Sequence, residues 1–248
     1  MAGGKGTRLF PYTAVLPKPL MPLGDAPVLE LLLRQLNSHG ARHVCLAVNH
    51  LRHLIQAFFG DGSALGLKIE YAVEDTPLGT CGPVAQVLDR MDGDFMLLNG
   101  DLVTDLAFSA MRARHLTLGA DATVAGLQRK VQLEFGVLEA DASGRLTGVR
   151  EKPMTEHLLN MGVYMLRREA IRRFLTPGVP LNMPDLLTEM VRAGAHVDCY
   201  ITSCEWLDIG RPDDYALAQK TVADGRGSRS PHRDYDSRRS GQVGNHSQ

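Results

Sequence analysis

Apolar side chains recur at helical spacing over residues 28–39 (VLELLLRQLNSH), where Val28, Leu29, Leu32, Leu33 and Leu36 fall in one stripe. Gly40 follows at the position where a helix end favours glycine, so the spacing predicts a helix. The short apolar run HVCLAV at 43–48 predicts a strand, and residues 50–59 predict a second helix stopped by Gly60. Residues 67–73 (LKIEYAV) alternate as a strand does. Residues 80–91 read as a helix, 95–98 (FMLL) as a fully buried strand, 107–116 as a helix and 122–127 as a strand. Strands alternating with helices at these intervals predict βαβ units and a largely parallel sheet.

The texture changes further on. Residues 135–139 (FGVLE) and 146–151 (LTGVRE) flank Asp-Ala-Ser-Gly, a hairpin signal. Residues 161–166 (MGVYML) predict another strand, followed by helices near 168–175 and 184–193, a strand at 197–201 and a helix from Pro212. The fold class expected is therefore α/β, a doubly wound sheet with added antiparallel strands. No internal repeat is visible. After Ala223 the composition shifts: residues 224–248 carry five Arg against three Asp and little that could be buried. Residues 1–223 thus read as one domain and 224–248 as a disordered tail. An Arg-rich arm for nucleic acid or acidic lipid is the rival reading of the tail, and its interspersed aspartates and short length count against it.

Charge narrows the classes. The 248 residues hold 27 Lys+Arg against 28 Asp+Glu, a formal net charge of −1, which lacks the electrostatic footprint of a nucleic-acid binder. No apolar run reaches the roughly 18 residues that a membrane span needs. The opening MAGGKGTRL has no signal-peptide core, so a soluble cytoplasmic protein is expected. Cys45, Cys81, Cys199 and Cys204 form no C-x-x-C pair and are expected to be buried free thiols. His50 and His53 could share a helix face, where a solvated or capping role outweighs zinc.

The chemistry begins at Gly3-Gly4-Lys5-Gly6-Thr7-Arg8. Three glycines in four residues let backbone N–H groups approach an anion, and Lys5 and Arg8 add charge. A flexible Gly-rich terminus is the plainer reading, and the order is wrong for a phosphate-binding G-x-x-x-x-G-K-[ST] loop. Prolines at 11, 17, 19, 22 and 27 exclude regular helix and strand, leaving an ordered extended loop that brings Lys18 back to the glycines. Asp101 ends a predicted buried strand, where ligands of open α/β sheets bind, and Asp208 precedes Gly210 in a separate segment. Two such carboxylates could share a Mg²⁺ ion; a turn cap for Asp101 and a turn residue for Asp208 are the alternatives. Lys152, before Pro153, could equally be a solvated edge charge.

The whole segment GGKGTRLFPYTAVLPKPLMPLGDAPVLE resembles the signature of the sugar-1-phosphate nucleotidylyltransferases. Further blocks follow in that family's order: EDTPLGTCG (74–82), LNGD (98–101), FGVLEAD (135–141), REKP (150–153), NMGVY (160–164) and WLDIGRPDDY (206–215). NHL at 49–51 and FFGDGS at 58–63 look like the branch that includes mannose-type guanylyltransferases. The resemblance implies a Rossmann-like mixed sheet and transfer of a nucleotidyl group from an NTP, GTP favoured, to a sugar 1-phosphate, with Mg²⁺ as cofactor. It implies a role in making activated sugars for cell-surface polysaccharide.

By the same resemblance Ala2, Gly3, Gly4, Gly6 and Thr7, with Leu78, Gly79 and Thr80, would bind the nucleotide. Arg8 and Lys18 would hold the triphosphate, and Lys152 would meet the sugar phosphate. Gly136, Glu151 and Asn160 would face the sugar, and Asp101 and Asp208 would hold the metal. Trp206 and Tyr215 are read as packing residues. The partners expected are the two substrates, with no nucleic acid and no membrane; a homo-oligomer is left open.

Two rivals stay in play: a non-catalytic regulatory relative that only binds sugar nucleotides, and a kinase or NTP hydrolase, whose loop order is missing. Relatives also carry a short apolar strand just before the glycine loop. The sheet is therefore expected to lack its first strand, at a cost comparable to a domain's net stability.

Overall fold

The computed structural model describes residues 1–4 and 6–223, so Lys5 and the tail expected over 224–248 lie outside the described residues. The proline-rich segment is ordered as 3-10 turns at Thr7–Leu9, Tyr12–Ala14 and Lys18–Leu20. A two-residue strand pair, β1 (Pro22–Leu23) and β2 (Ala26–Pro27), leads from it into α1 (Val28–Ser38). There follow β3 (His43–Val48), α2 (Arg52–Phe59), β4 (Lys68–Val73), the short α3 (Val84–Val87), β5 (Asp94–Leu98), β6 (Leu102–Thr104) and α4 (Phe108–Leu118). The second half runs β7 (Ala122–Gln132), β8 (Val137–Ala140), β9 (Leu146–Arg150), β10 (Met154–Arg167), α5 (Arg168–Ile171), α6 (Met183–Arg192), β11 (Val197–Thr202), β12 (Trp206–Asp208) and α7 (Pro212–Ala223).

β10 organises the sheet, whose order is β11-β7-β10-β5. β10 runs antiparallel to both neighbours, and β11 joins β7 in parallel, so this sheet is mixed, as the resemblance implies. β3 and β4 form a separate parallel pair, β6 and β12 an antiparallel pair, and β8 and β9 the expected hairpin. Residues 161–166 are buried throughout because alternate side chains enter different cores. Met161, Val163 and Met165 pack with Leu29, Leu32, Leu33 and Leu36 of α1. Tyr164 and Leu166 pack with Met183, Leu186 and Met190 of α6. Helices thus cover both faces, the doubly wound arrangement.

Between β3 and β5 lies a cavity of about 310 Å³, lined in part by Leu29, Leu33, Cys45, Ala47, Met96 and Leu98. Met1 and Ala2 sit at its end. The Met1 ammonium donates to Leu98 O at 2.6 Å, Gly100 N–H donates to Met1 O at 2.7 Å and Ala2 N–H donates to Ala47 O at 2.8 Å. This gap explains why the 95–98 run, expected to be fully buried, is buried only at Leu97.

Three further expectations are corrected. The helix over 80–91 shortens to α3 and a 3-10 turn at Leu88–Arg90, because the backbone of 81–82 is hydrogen-bonded to Leu181 and Pro83 begins the helix. The cysteines are free, yet only Cys81 is buried; Cys45 and Cys204 are half-buried and Cys199 lies exposed on the edge strand β11. Burial pushes the Cys81 thiol up to about 12. The proline-rich segment contains short 3-10 turns and the β1–β2 pair, which need too few residues for its prolines to forbid.

His115 on α4 is fully buried, with Nδ1 2.8 Å from Thr123 Oγ1 and Nε2 without a hydrogen-bond partner, 3.5 Å from Asp94 Oδ2. Burial holds its pKa below the usual histidine value, and Arg167 acts in the same direction, against the opposing pull of Asp94 and Asp121. The unfolded chain therefore binds a proton that the folded chain refuses. Stability is full above pH ~6.5 and falls as pH drops from there to the lowered native value. The slope expected is at most about 1.4 kcal/mol per pH unit, a few degrees in Tm. Thermal melts between pH 7.5 and 5.5 check this: the slope should flatten in His115→Gln, and an unchanged slope refutes it.

Candidate active site

Prolines 17 and 19 hold Lys18 in a 3-10 turn with its side chain largely buried. Its ammonium is ion-paired to Asp101 Oδ2 and lies 3.4 Å from Asp208 Oδ1. Asp101 stands in the turn between β5 and β6, and Asp208 ends β12. The antiparallel pairing of β12 with β6 sets Asp208 opposite Leu102, and Ile209 N–H donates to Asp101 O at 3.2 Å. Strand register thus brings two carboxylates from distant segments onto one cation. Burial and then the charge of Asp101 push the Asp208 carboxyl above its ordinary value, while Lys18 and Arg8 pull it back.

The glycine loop is built against this set. Gly6 has φ +61, and a Cβ there would stand 2.8 Å from Thr13 Cγ2 and 3.3 Å from Lys18 Cβ. Thr13 Oγ1 donates to Gly6 O at 2.8 Å. Gly6 is therefore held in a left-handed turn packed against Thr13 and Lys18. Ala2 is buried, Gly3 packs against Asn49 and Glu74, Gly4 has open space at its Cα, and Thr7 is exposed. Arg8 is exposed and its guanidinium comes within 3.7 Å of the point where a Cβ on Gly210 would stand, beside Asp208.

Leu78, Gly79 and Thr80 form a turn docked on the second half of the chain. Leu181 N–H donates to Leu78 O at 2.9 Å, Cys81 and Gly82 N–H donate to Leu181 O, and Met183 N–H donates to Thr80 Oγ1 at 2.9 Å. Leu78 N–H in turn donates to Glu74 Oε2 at 3.1 Å.

The residues that the resemblance assigns to the sugar lie along the arm made by β8, β9 and β10. Glu151 and Lys152 are exposed in the β9–β10 turn, Lys152 with φ +42. Glu151 Oε2 lies 2.9 Å from where a Cβ on Gly136 would be. Asn160 is at the β10 bulge, its Oδ1 accepting from Gly162 N–H at 2.9 Å. The bulge abuts the Asp101 turn, since Asn99 N–H donates to Gly162 O at 3.0 Å, and Trp206 Nε1 donates to Met161 O at 2.9 Å. Trp206 therefore does pack, as expected, and it ties β12 to the bulge; Tyr215 likewise donates to Pro22 O. Among the described residues no hydrogen bond or ion pair joins Glu151, Lys152 or Asn160 to Lys18, Asp101 or Asp208. The set thus divides into a cation-and-carboxylate centre, a turn on one side and an exposed arm on the other.

The chain matches the nucleotidyl transferase family over residues 1–225. It belongs to that family. Its similarity to the mannose-1-phosphate guanylyltransferase of Mycobacterium tuberculosis is 33% identity over 233 residues, 91% of this chain and 64% of that one. Against the UTP–glucose-1-phosphate uridylyltransferase of Synechocystis it is 31% identical over 241 residues, 90% of this chain and 62% of that one. The chain thus spans just under two thirds of the length of these relatives. The fold resembles HddC of Yersinia pseudotuberculosis, solved in complex with GMP-PN, with a TM-score of 0.70 at 22% identity, covering 89% of this chain and 96% of that one. The Rossmann-like α/β fold of the nucleotidyl transferases is therefore the fold of this chain.

Within this member of the family, sequence reasoning missed Thr13, which locks Gly6, and Glu74, which holds the Leu78 turn. The signal for Glu74 was present: a carboxylate directly after a half-buried strand. Among the described residues no helix is long and apolar enough to cross a membrane, and no group of three or more His, Cys, Asp or Glu gathers as a metal site, His50 and His53 included.

Proposed function

We propose that this protein transfers a nucleotidyl group from an NTP, with GTP favoured, to a sugar 1-phosphate, releasing pyrophosphate, in the making of activated sugars for cell-surface polysaccharide. The observation that carries the reading is the convergence of Asp101 and Asp208 on the Lys18 ammonium beside the Gly6 turn. Family membership and the guanylyl- and uridylyl-transferring relatives support it.

A phosphate oxygen of the sugar 1-phosphate attacks the α-phosphorus; the new P–O bond forms as the bond to the β-phosphate bridging oxygen breaks, and pyrophosphate leaves with that electron pair. Such a reaction needs positioning and charge neutralisation more than covalent catalysis by the protein. The glycine turn exposes backbone N–H groups to phosphate, and Arg8 and Lys18 hold the triphosphate and neutralise the leaving group. Lys152 offsets repulsion between two anionic substrates, while Glu151 and Asn160 orient sugar hydroxyls and Gly136 lets the backbone approach them.

Asp101 and Asp208 already gather around one cation, a donor set suited to Mg²⁺, which is commonly held by one or two carboxylates and substrate phosphates. When bound, Mg²⁺ would supply Lewis-acid polarisation of the phosphate oxygens.

The test is pyrophosphate release with Mg²⁺ across four NTPs and a panel of sugar 1-phosphates. Release that requires both substrates is the expected result. Silence in every well from folded protein overturns the transfer and favours a relative that only binds sugar nucleotides.

A further inference from the structure

Thr13 is 4% exposed, whereas Phe10, Tyr12 and Val15 around it stand open to solvent. Between Phe10 and Leu16 it is the one buried residue. That order is inverted, since burial favours the apolar side chains and a buried hydroxyl is costly unless it has a hydrogen bond to make. Here it makes one. Oγ1 donates to Gly6 O at 2.8 Å, and Leu9 N–H donates to the same oxygen at 2.9 Å. A carbonyl oxygen has two lone pairs, so this one is saturated.

A saturated carbonyl fixes the whole peptide unit. The Gly6–Thr7 peptide is planar and trans, so its C=O and N–H point in opposite directions. With the carbonyl turned in to Thr13 and Leu9, the Thr7 N–H is turned out. It donates to no described residue, and Thr7 is exposed. The left-handed backbone of Gly6, with φ +61 and ψ +30, permits this orientation, and the Thr13 Cγ2 fills the space that a Cβ on Gly6 would need. On the transfer reading, on which this inference rests, the outward side faces the triphosphate. Donors aimed before charge develops need no reorganisation at the moment of reaction. We infer that Thr13 is a positioning residue for the transfer: its hydroxyl holds the Gly6 carbonyl inward and so keeps the Thr7 N–H aimed at the phosphate charge that grows as pyrophosphate leaves. Thr13 itself touches no substrate.

The test separates the hydroxyl from the shape. Thr13→Val keeps the shape and removes the donor; Thr13→Ser keeps the donor and removes the methyl. Steady-state pyrophosphate release gives kcat and KM for each, with thermal melts as the folding control and equilibrium binding of inorganic pyrophosphate with Mg²⁺ as a second readout. Thr13→Val should lower kcat about tenfold or more, less than the hundredfold or greater loss seen when a donor is deleted outright. Its KM for the NTP should move less than about threefold, because the contact strengthens as charge develops. Inorganic pyrophosphate, which carries the charge that the leaving group acquires, should bind about tenfold more weakly. Thr13→Ser should restore both readouts to within about threefold of wild type. The reverse order, with Val near wild type and Ser impaired, shows that Thr13 only packs and overturns the inference. So do equal losses in the two variants, or a rise in KM at unchanged kcat. In those cases wild-type turnover leaves the transfer reading standing. If wild type releases no pyrophosphate with any pair of substrates, the transfer reading falls; equal pyrophosphate affinity in all three proteins then removes the role of Thr13 as well, and weaker binding by Val alone keeps it as the residue that aims the loop at an anion.

Discussion

Asp101→Ala should fold normally and release pyrophosphate about a thousandfold more slowly than wild type, the scale on which a metal site stabilises phosphoryl charge. The backbone at 101 keeps its hydrogen bond from Ile209, and the lost side chain leaves Lys18 with Asp208 at 3.4 Å, so packing has little reason to change. What changes is the charge count at the centre. One carboxylate cannot gather a cation as two do, and the Asp208 carboxyl, relieved of its like-charged neighbour, should move back toward its ordinary value. Steady-state pyrophosphate release at several Mg²⁺ concentrations, with a thermal melt as the control, checks the result. Near-normal turnover at all of them refutes the assignment of Asp101 as a ligand; a large drop in Tm would refute the separation of centre from core.

A large effect on stability is expected at Gly79. With φ +78 it occupies the left-handed region, which costs an L-residue about 1–2 kcal/mol. A Cβ would also stand 2.6 Å from Leu181 O and 2.7 Å from Asn182 Oδ1, and the first of these is backbone. The turn would have to lift away from Leu181 and give up the hydrogen bonds that dock it. Gly79→Ala should therefore lose about 3 kcal/mol or more, or roughly 6–12 °C in Tm for a chain of this size. Gly178 supplies the internal comparison: it has the same φ of +78 and nothing within 4 Å of an added Cβ. Gly178→Ala should cost only the backbone term. Equal losses at the two positions would show that the contact with Leu181 contributes nothing.

Much of this was legible in the sequence wherever a local pattern decided the structure. The stripe of α1, the run of β3 and the alternation of β4 carry their own periodicity, and the structure follows them nearly to the residue. The motif residues of the centre were legible by resemblance, and Lys18, Asp101 and Asp208 do meet. What was not legible depends on distant partners. Thr80–Gly82 has a helical look, yet the N–H groups of Cys81 and Gly82 find Leu181, about a hundred residues away, and the helix starts only at Val84. β6 and β12 are three residues each, too short for any period, and exist because they pair with each other. Cys199 sits in apolar company, but its strand is an edge, and an edge position is a property of the sheet order.

That β6–β12 pair also sets a timetable. Asp208 lies near the end of the described chain and its partner strand begins at Leu102, so a nascent polypeptide holds Lys18 and Asp101 long before their third member is made. Until β12 leaves the ribosome, the β6 edge lies open and the centre is unfinished. Any interruption of synthesis short of residue 206 yields a chain with most of its apolar clusters but no completed centre, a product for quality control to remove.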